Sequence, residues 1–266
     1  MKYDIVKDKI AFFIALIPAL RKVFYKMLTC LILRQQYVFR LIGDLFPNKN
    51  EKLKMYDAGG GYLQYTDYVL SNYSKSNVFA VDIKDNYIED YYSYIRGSEK
   101  ESRFNHHCAD LQDFTPNQDF DLIIAIDILE HIENDRAVLK NFFKVLNPEG
   151  KLIISTPSTF DEAAAFTEEH VRPGYDLADL LEKLETSGFT IDKAKYTYGK
   201  YGAYYWKLAM KTPLLMLQKS NAFFLILPLF YLITFPIFHI LMKIDQKMNN
   251  PIGNGLLVVA SKRRGK

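Results

Sequence analysis

An acid, a run of glycines and a second acid about two dozen residues later are the residues of this chain best suited to chemistry. Asp57-Ala58-Gly59-Gly60-Gly61 follows the short apolar run Leu53, Met55 and Tyr56, and Val78-Phe79-Ala80-Val81 runs into Asp82-Ile83. An apolar run closed by glycines predicts a buried strand and a sharp turn, and the periodic stretch Leu63 to Leu70 predicts the helix after it. Glycine at such a turn lets the backbone approach a ligand closely, and a helix N-terminus offers unbonded N–H groups. Asp82, ending a second strand, is placed to accept from the two hydroxyls of a ribose. The fragment has the form of an adenosine-binding βαβ unit. Counted from Gly59, the dinucleotide fingerprint G-x-G-x-x-G needs glycine at position 64, where Gln64 stands.

Such residues need a sheet to hold them. His106-His107-Cys108-Ala109-Asp110-Leu111 predicts a third strand, and Phe120 to Asp127 a fourth, almost wholly apolar, leading into Ile128-Leu129-Glu130-His131-Ile132. A helix is expected from about Asp135 to Leu146, then the turn Asn147-Pro148-Glu149-Gly150 and a fifth strand from Lys151 to Pro157. Strands alternating with helices require a parallel sheet, whose strands are apolar on both faces.

D-x-G-x-G at Asp57, the acid at Asp82, Ala109-Asp110-Leu111, D-x-L-E-H from Asp127 to His131, and L-x-P-x-G-x-L-I-I-S-x-P from Leu146 to Pro157 occur in order. Together they resemble the class I S-adenosylmethionine-dependent methyltransferases, and especially their quinone, lipid and small-molecule branch. The family pattern carries one more glycine where this chain has Leu63, a departure that bears on the path of the turn. The resemblance implies an α/β fold: a Rossmann-like seven-stranded methyltransferase sheet with an antiparallel last strand. It implies S-adenosylmethionine as cofactor. Asp57, Gly59 and Gly61, with Ala58 and Gly60 between them, would hold the methionine end, and Asp82, beside Ile83, the ribose. Asp110 and Leu111 would contact the adenine, and Asp127 would lie beside the methionine portion. Read without the family, Asp57 and Asp127 are turn or helix-cap residues.

Methyl transfer from a sulfonium is an in-line displacement, so the enzyme's main contribution is alignment in a dry pocket. An oxygen acceptor gains further from a base that removes its proton. His131, after the fourth strand, and His170, in Glu168-Glu169-His170-Val171-Arg172-Pro173-Gly174-Tyr175, are the candidate bases. The second segment resembles the E-x-H-V-R stretch of the same branch. An imidazole titrating near neutrality suits proton removal. His131 could equally orient its loop, and His170 could instead contact the substrate or clasp its loop. His106, His107, Cys108 and Asp110 suggest a metal site, but strand neighbours point to opposite faces and cannot readily share an ion. No metal is expected.

The chain has 266 residues and a net charge of +3, with no basic stripe to suit nucleic acid, and Cys30 and Cys108 give no disulfide framework. Two segments lie outside a plain core. Residues 10–20 are apolar until Arg21, too short to span a bilayer and without a small-residue cleavage site, so residues 1–46 are expected to form a helical lid or membrane-surface segment. Ala222 through Met242, with Thr234 and His239 as its polar side chains, is long enough to span and is flanked by Lys207, Lys211, Lys219, Lys243 and Lys247. It is followed by a convincing last strand, Leu256 to Ala260. If that strand lies beside the sixth, near Phe189 to Tyr198, the segment must begin and end on one side of a membrane. Pro228 and Pro236 each remove a backbone donor, which predicts a broken helical pair dipping into the lipid interface. The Tyr196 to Trp206 stretch is expected either to line an acceptor pocket or, with the preference, to form an aromatic belt at the headgroups.

The expected organisation is a methyltransferase core at 47–200 and 252–264 and a hydrophobic helical insertion at 201–251. The expected function is methylation, on oxygen for preference, of an apolar small molecule or lipid-like acceptor. A quinone precursor, an aryl-polyene or polyketide head group, or a lipid would each suit, at the inner face of the cytoplasmic membrane. The alternatives are a non-catalytic membrane-associated interaction protein on the same scaffold and a nucleotide-dependent oxidoreductase.

Overall fold

A computed structural model of the chain describes residues 18–161, 170–219 and 223–263. The apolar run at 10–17, and Glu168 and Glu169, lie outside the described residues. Seven strands form one sheet: β1 (Leu53–Ala58), β2 (Ser76–Asp82), β3 (Phe104–Cys108), β4 (Phe120–Ile126), β5 (Leu146–Pro157), β6 (Thr190–Thr197) and β7 (Gly255–Ser261). Their order is β3-β2-β1-β4-β5-β7-β6. The first five pair in parallel, and β7 is antiparallel to both neighbours, as expected of this fold. The strand order reverses between β1 and β4, so a crevice opens beyond their C-terminal ends, where open α/β sheets bind ligands.

Alternation along each strand builds two cores. Met55, Val78, Ala80, Leu122, Ile124 and Val259 face one side, where they meet α1 (Pro18–Leu31), α2 (Leu33–Leu45), α3 (Gln64–Asn72) and α4 (Asp85–Ile95). Tyr56, Ala58, Ile123, Ala125, Val258 and Ala260 face the other, against α5 (Asp135–Val145) and α6 (Leu177–Thr186). The strands are apolar on both faces because both faces are covered. The third strand is shorter than the sequence suggested. It ends at Cys108, and Asp110 instead closes a turn, its Oδ1 accepting from the Gln112 amide at 2.8 Å.

Between β6 and β7 the chain forms α7 (Lys200–Trp206), a π-helical turn (Lys207–Lys211), α8 (Thr212–Lys219) and α9 (Phe223–Lys247). The expected break at the prolines is not there: Pro228 and Pro236 both lie inside the single helix α9. Each proline costs a backbone hydrogen bond, but packing carries the helix through. Phe230 and Phe238 bracket Pro236 with rings 6.0 Å apart, and Phe238 packs edge-on to Tyr205. The stretch expected as an aromatic belt divides, with Tyr204 53% exposed. Tyr198 and Tyr205 are buried, and Tyr205 hydrogen-bonds the Leu31 carbonyl, so of these two neither reaches the surface as a belt would require.

One face of α9 is unpartnered among the described residues. Ile226, Leu229, Leu232, Ile233, Ile237 and Ile240 are exposed, Leu232 to 76%, and their spacing of three or four residues puts them on one stripe. The opposite face is fixed by Asp245, which is fully buried. Its carboxylate accepts from the Tyr37 hydroxyl (2.7 Å), the Tyr198 amide (3.1 Å) and the Gly202 amide (3.0 Å). Gln246 adds a bond to Gln36 at 2.8 Å. The helix α2 and the apolar helix α9 are thereby joined side chain to side chain.

Candidate cofactor and acceptor site

The turn after β1 is held to β2 by its backbone. The amides of Gly59 and Gly60 donate to the Val81 carbonyl at 2.8 and 3.2 Å. The Gly61 amide donates to Asp82 Oδ2 at 2.8 Å, and the Lys84 amide to Oδ1 at 2.9 Å. Asp82 thus ties the two loops together while its remaining lone pairs stay available. Gly59 and Gly61 both have positive φ, 77° and 50°. At Gly59 a Cβ would stand 2.5 Å from Ile128 Cγ1, whereas at Gly61 it would meet nothing within 4 Å. Gly59→Ala is therefore expected to destabilise the fold by more than the ~1–2 kcal/mol of backbone strain alone, and Gly61→Ala by no more than that. Thermal melts of the two variants check this, and equal shifts would contradict it.

Leu63 stands where the family pattern has glycine, and it takes the left-handed conformation glycine would have taken, φ 60° and ψ 26°. Its side chain is completely buried. Burying a leucine contributes about 1.5–3 kcal/mol, which offsets roughly 1–2 kcal/mol of left-handed strain. The turn keeps its course without the glycine.

Asp57 sits at the bottom of this turn, 2% exposed, with one oxygen accepting from the Thr66 hydroxyl at 2.6 Å. Burial pushes its carboxyl up to about 7. The unfolded chain releases this proton near pH 4, so between about pH 4 and 7 the native state binds more protons than the unfolded one. Stability from this group is then full below that window and is lost as pH rises through it. Relative to Asp57→Asn, the wild-type melting temperature is expected to fall between pH 5 and 8. A pH-independent difference would remove the assignment.

At the end of β4, Asp127 also has positive φ, 52°, and its carboxylate is ion-paired with Arg34 of α2. The Arg34 backbone amide donates to the Tyr198 hydroxyl at 3.0 Å. Burial disfavours the guanidinium charge, but Asp127 beside it more than compensates and holds Arg34 above its ordinary range. Glu130 follows in the short turn Leu129–His131, 1% exposed, accepting from the Thr156 hydroxyl at 3.1 Å. Burial and the Asp127 charge push its carboxyl up to about 8.

His170 is brought to this turn by the segment that follows it. The amides of Val171 and Arg172 donate to the Glu130 carbonyl at 3.0 and 3.3 Å. The Arg172 guanidinium donates to the carbonyls of Leu129 (2.7 Å), Ile132 (2.8 Å) and Glu133 (3.0 Å). The His131 and His170 rings meet edge to face, 4.6 Å between centroids.

Asp57, Gly59, Gly60, Gly61, Asp82, Asp127, His131 and His170 therefore share the C-terminal edge of the sheet, around the crevice. Asp110 and Leu111 border it beyond β3, Leu111 buried, and Ile83 stands 67% exposed beside Asp82. His106 and His107 part company: one ring stacks on Phe104, the other on Phe114. The sequence reading missed Arg34, Thr66 and the burial of Glu130. Arg34 shares α2 with two other charged residues, Arg40 and Asp44, and nothing local singles it out.

A family model described as a methyltransferase domain matches residues 56–152. The chain is 38% identical to phosphoethanolamine N-methyltransferase 1 of Arabidopsis thaliana over 82 residues, 28% of this chain and 16% of that protein. It is 27% identical to the ubiquinone biosynthesis O-methyltransferase of Rickettsia canadensis over 132 residues, 49% of this chain and 53% of that protein. The chain thus spans about half or less of these relatives. In fold it is similar to N-methyltransferase NodS from Bradyrhizobium japonicum in complex with S-adenosylhomocysteine, with a TM-score of 0.52, 14% identity, and coverage of 86% of this chain and 88% of that one. The matched methyltransferase domain, the order of its motifs and the seven-stranded topology bear out the resemblance to the class I S-adenosylmethionine-dependent methyltransferases, whose cofactor is S-adenosylmethionine.

Proposed function

We propose that the protein transfers a methyl group from S-adenosylmethionine to oxygen on an apolar small molecule or lipid-like acceptor, working at a membrane surface. The observation that carries the first half is the gathering of Asp57, the glycine turn, Asp82 and Asp127 around one crevice, with two histidines at its mouth. In this reading the Asp82 carboxylate takes the ribose hydroxyls, and Asp110 and Leu111 bound the adenine. The methionyl ammonium goes to Asp127 and its carboxylate to Arg34, the two charges of a zwitterion matching the two charges of an ion pair. Crevice walls then align acceptor oxygen, methyl carbon and sulfur. His131 or His170 accepts the acceptor's proton. Calorimetry with S-adenosylhomocysteine and NADH tests the cofactor: binding of the first alone is expected, and no binding of it would end the proposal. Extracts of cells with and without the gene, fed methyl-labelled methionine, then name the acceptor as the labelled species that disappears.

The exposed stripe on α9 supports the second half. Residues 229–247 are long and apolar enough to cross a membrane, and only 17% of that stretch is buried. Because β6 and β7 lie in one sheet, both ends of the insertion belong on the same side, which favours lying in the interface over crossing it. Lys207, Lys243 and Lys247 suit the anionic inner leaflet of a cytoplasmic membrane. The O-methyltransferase relative in ubiquinone biosynthesis is consistent with such an acceptor; the phosphoethanolamine relative favours nitrogen as the second reading. The double variant Leu232→Glu/Ile233→Glu is expected to leave the melting temperature unchanged and to lose flotation with anionic vesicles. Retained flotation of the variant would count against this stripe as the contact, and a wild type that does not float would count against the membrane.

A further inference from the structure

Glu130, His131 and His170 bring one carboxylate oxygen and two imidazole nitrogens to within 4.8 Å of one another, and we infer that together they bind a divalent transition-metal ion of the zinc class. The sequence hid this site, because its third member stands 39 residues beyond the second. Two nitrogens and one oxygen are the donor number and type of a catalytic zinc site, which keeps at least one position open. Imidazole favours zinc-like ions over magnesium or calcium, which take oxygen donors.

The three donors are held in place by structure. Glu130 and His131 are fixed by the Leu129–His131 turn, and His170 is anchored to it by the amide bonds of Val171 and Arg172 to the Glu130 carbonyl, 3.0 and 3.3 Å. The Arg172 side chain fastens the same two segments through the Leu129 and Ile132 carbonyls. Thr156 supplies the outer-shell hydrogen bond that orients a ligating carboxylate. The Arg34 guanidinium is ion-paired with Asp127, so Glu130 is a completely buried acid beside a second acid with no ion pair of its own among the described residues. Bonds of about 2.0–2.2 Å draw donors to roughly 3.5 Å apart. Loading therefore needs about an ångström of rotation from side chains of which two, the histidines, are only half-buried.

The consequence for the reaction rests on the methyl transfer proposed above. A phenol or enol oxygen filling the open position loses its proton to solvent more readily. The oxyanion then forms the new C–O bond, the S–CH3 bonding pair passes to sulfur, and the sulfonium becomes a neutral thioether. The histidines are then ligands, and no separate base is required.

The full chain, stripped with a chelator, is titrated with Zn²⁺ by calorimetry and with Co²⁺ by visible absorption. One equivalent is expected to bind. His170→Ala and His131→Gln should each weaken it by more than the roughly 10–100-fold that loss of an outer-shell partner costs, while His106→Ala should not. An S-adenosylhomocysteine titration of each protein reports that it is folded. No saturable metal binding, or wild-type affinity in both site variants, overturns the inference. Intact S-adenosylhomocysteine binding in that same sample leaves the methyltransferase reading standing.

Discussion

Replacing Asp82 with alanine is expected to weaken S-adenosylhomocysteine binding by about 1.5–3 kcal/mol, roughly ten- to a hundredfold. Charge-assisted bonds to two ribose hydroxyls account for that range. The same carboxylate also holds the Gly61 and Lys84 amides, at 2.8 and 2.9 Å, so the variant loosens the turn as well as losing the ligand contact. Asp82→Asn separates the two contributions. Its amide oxygen still accepts from one of those amides but carries no charge, so it should recover part of the affinity. Unchanged affinity in a folded Asp82→Ala protein would refute the ribose role.

The second large effect is expected at Arg34. Arg34→Met keeps the length and apolar stem of the side chain and removes its charge. S-adenosylhomocysteine affinity should fall by about 1.5–3 kcal/mol, because a methionyl carboxylate loses its cation. Adenosine, which lacks both methionyl charges, should bind variant and wild type alike. The free protein should lose only about 1 kcal/mol of stability, since the Asp127 side chain is 36% exposed and water screens the pair. If adenosine were weakened as much as S-adenosylhomocysteine, Arg34 would be a prop for α2 and not a ligand for the cofactor.

The strands were legible because a sheet covered on both faces leaves continuous apolar runs, and β1, β2, β4 and β7 are such runs. β3 was read three residues too long: the Ala109-Asp110-Leu111 string belongs to the turn, whose Asx geometry overrides the apolar pattern. The insertion was legible as apolar but not as continuous. Proline announces a missing hydrogen bond, whereas the aromatic packing of Phe230, Phe238 and Tyr205 that compensates for it spans residues far apart in sequence.

The site divides in the same way. Its acids and glycines lie within a few residues of strand ends, where local pattern places them. Arg34 lies 93 residues from Asp127, and the clamp that carries His170 is a set of backbone bonds. Neither leaves a periodic trace. Leu63 shows the converse, a sequence departure with little structural consequence, since burial compensates for the left-handed step.

β7 lies between β5 and β6, and among the described residues β6 pairs with no other strand. During synthesis, then, β6 has no partner until residues 255–261 have left the ribosome, although α9 has emerged before them. Chains grow at about 5–20 residues per second, which leaves the apolar helix on the order of a second or more beside an unfinished sheet. A nascent chain in that interval offers lipid or a chaperone its most apolar surface before the fold has closed. The last strand to be made is the one that completes the sheet, so the timing of its arrival bears on where the protein first settles.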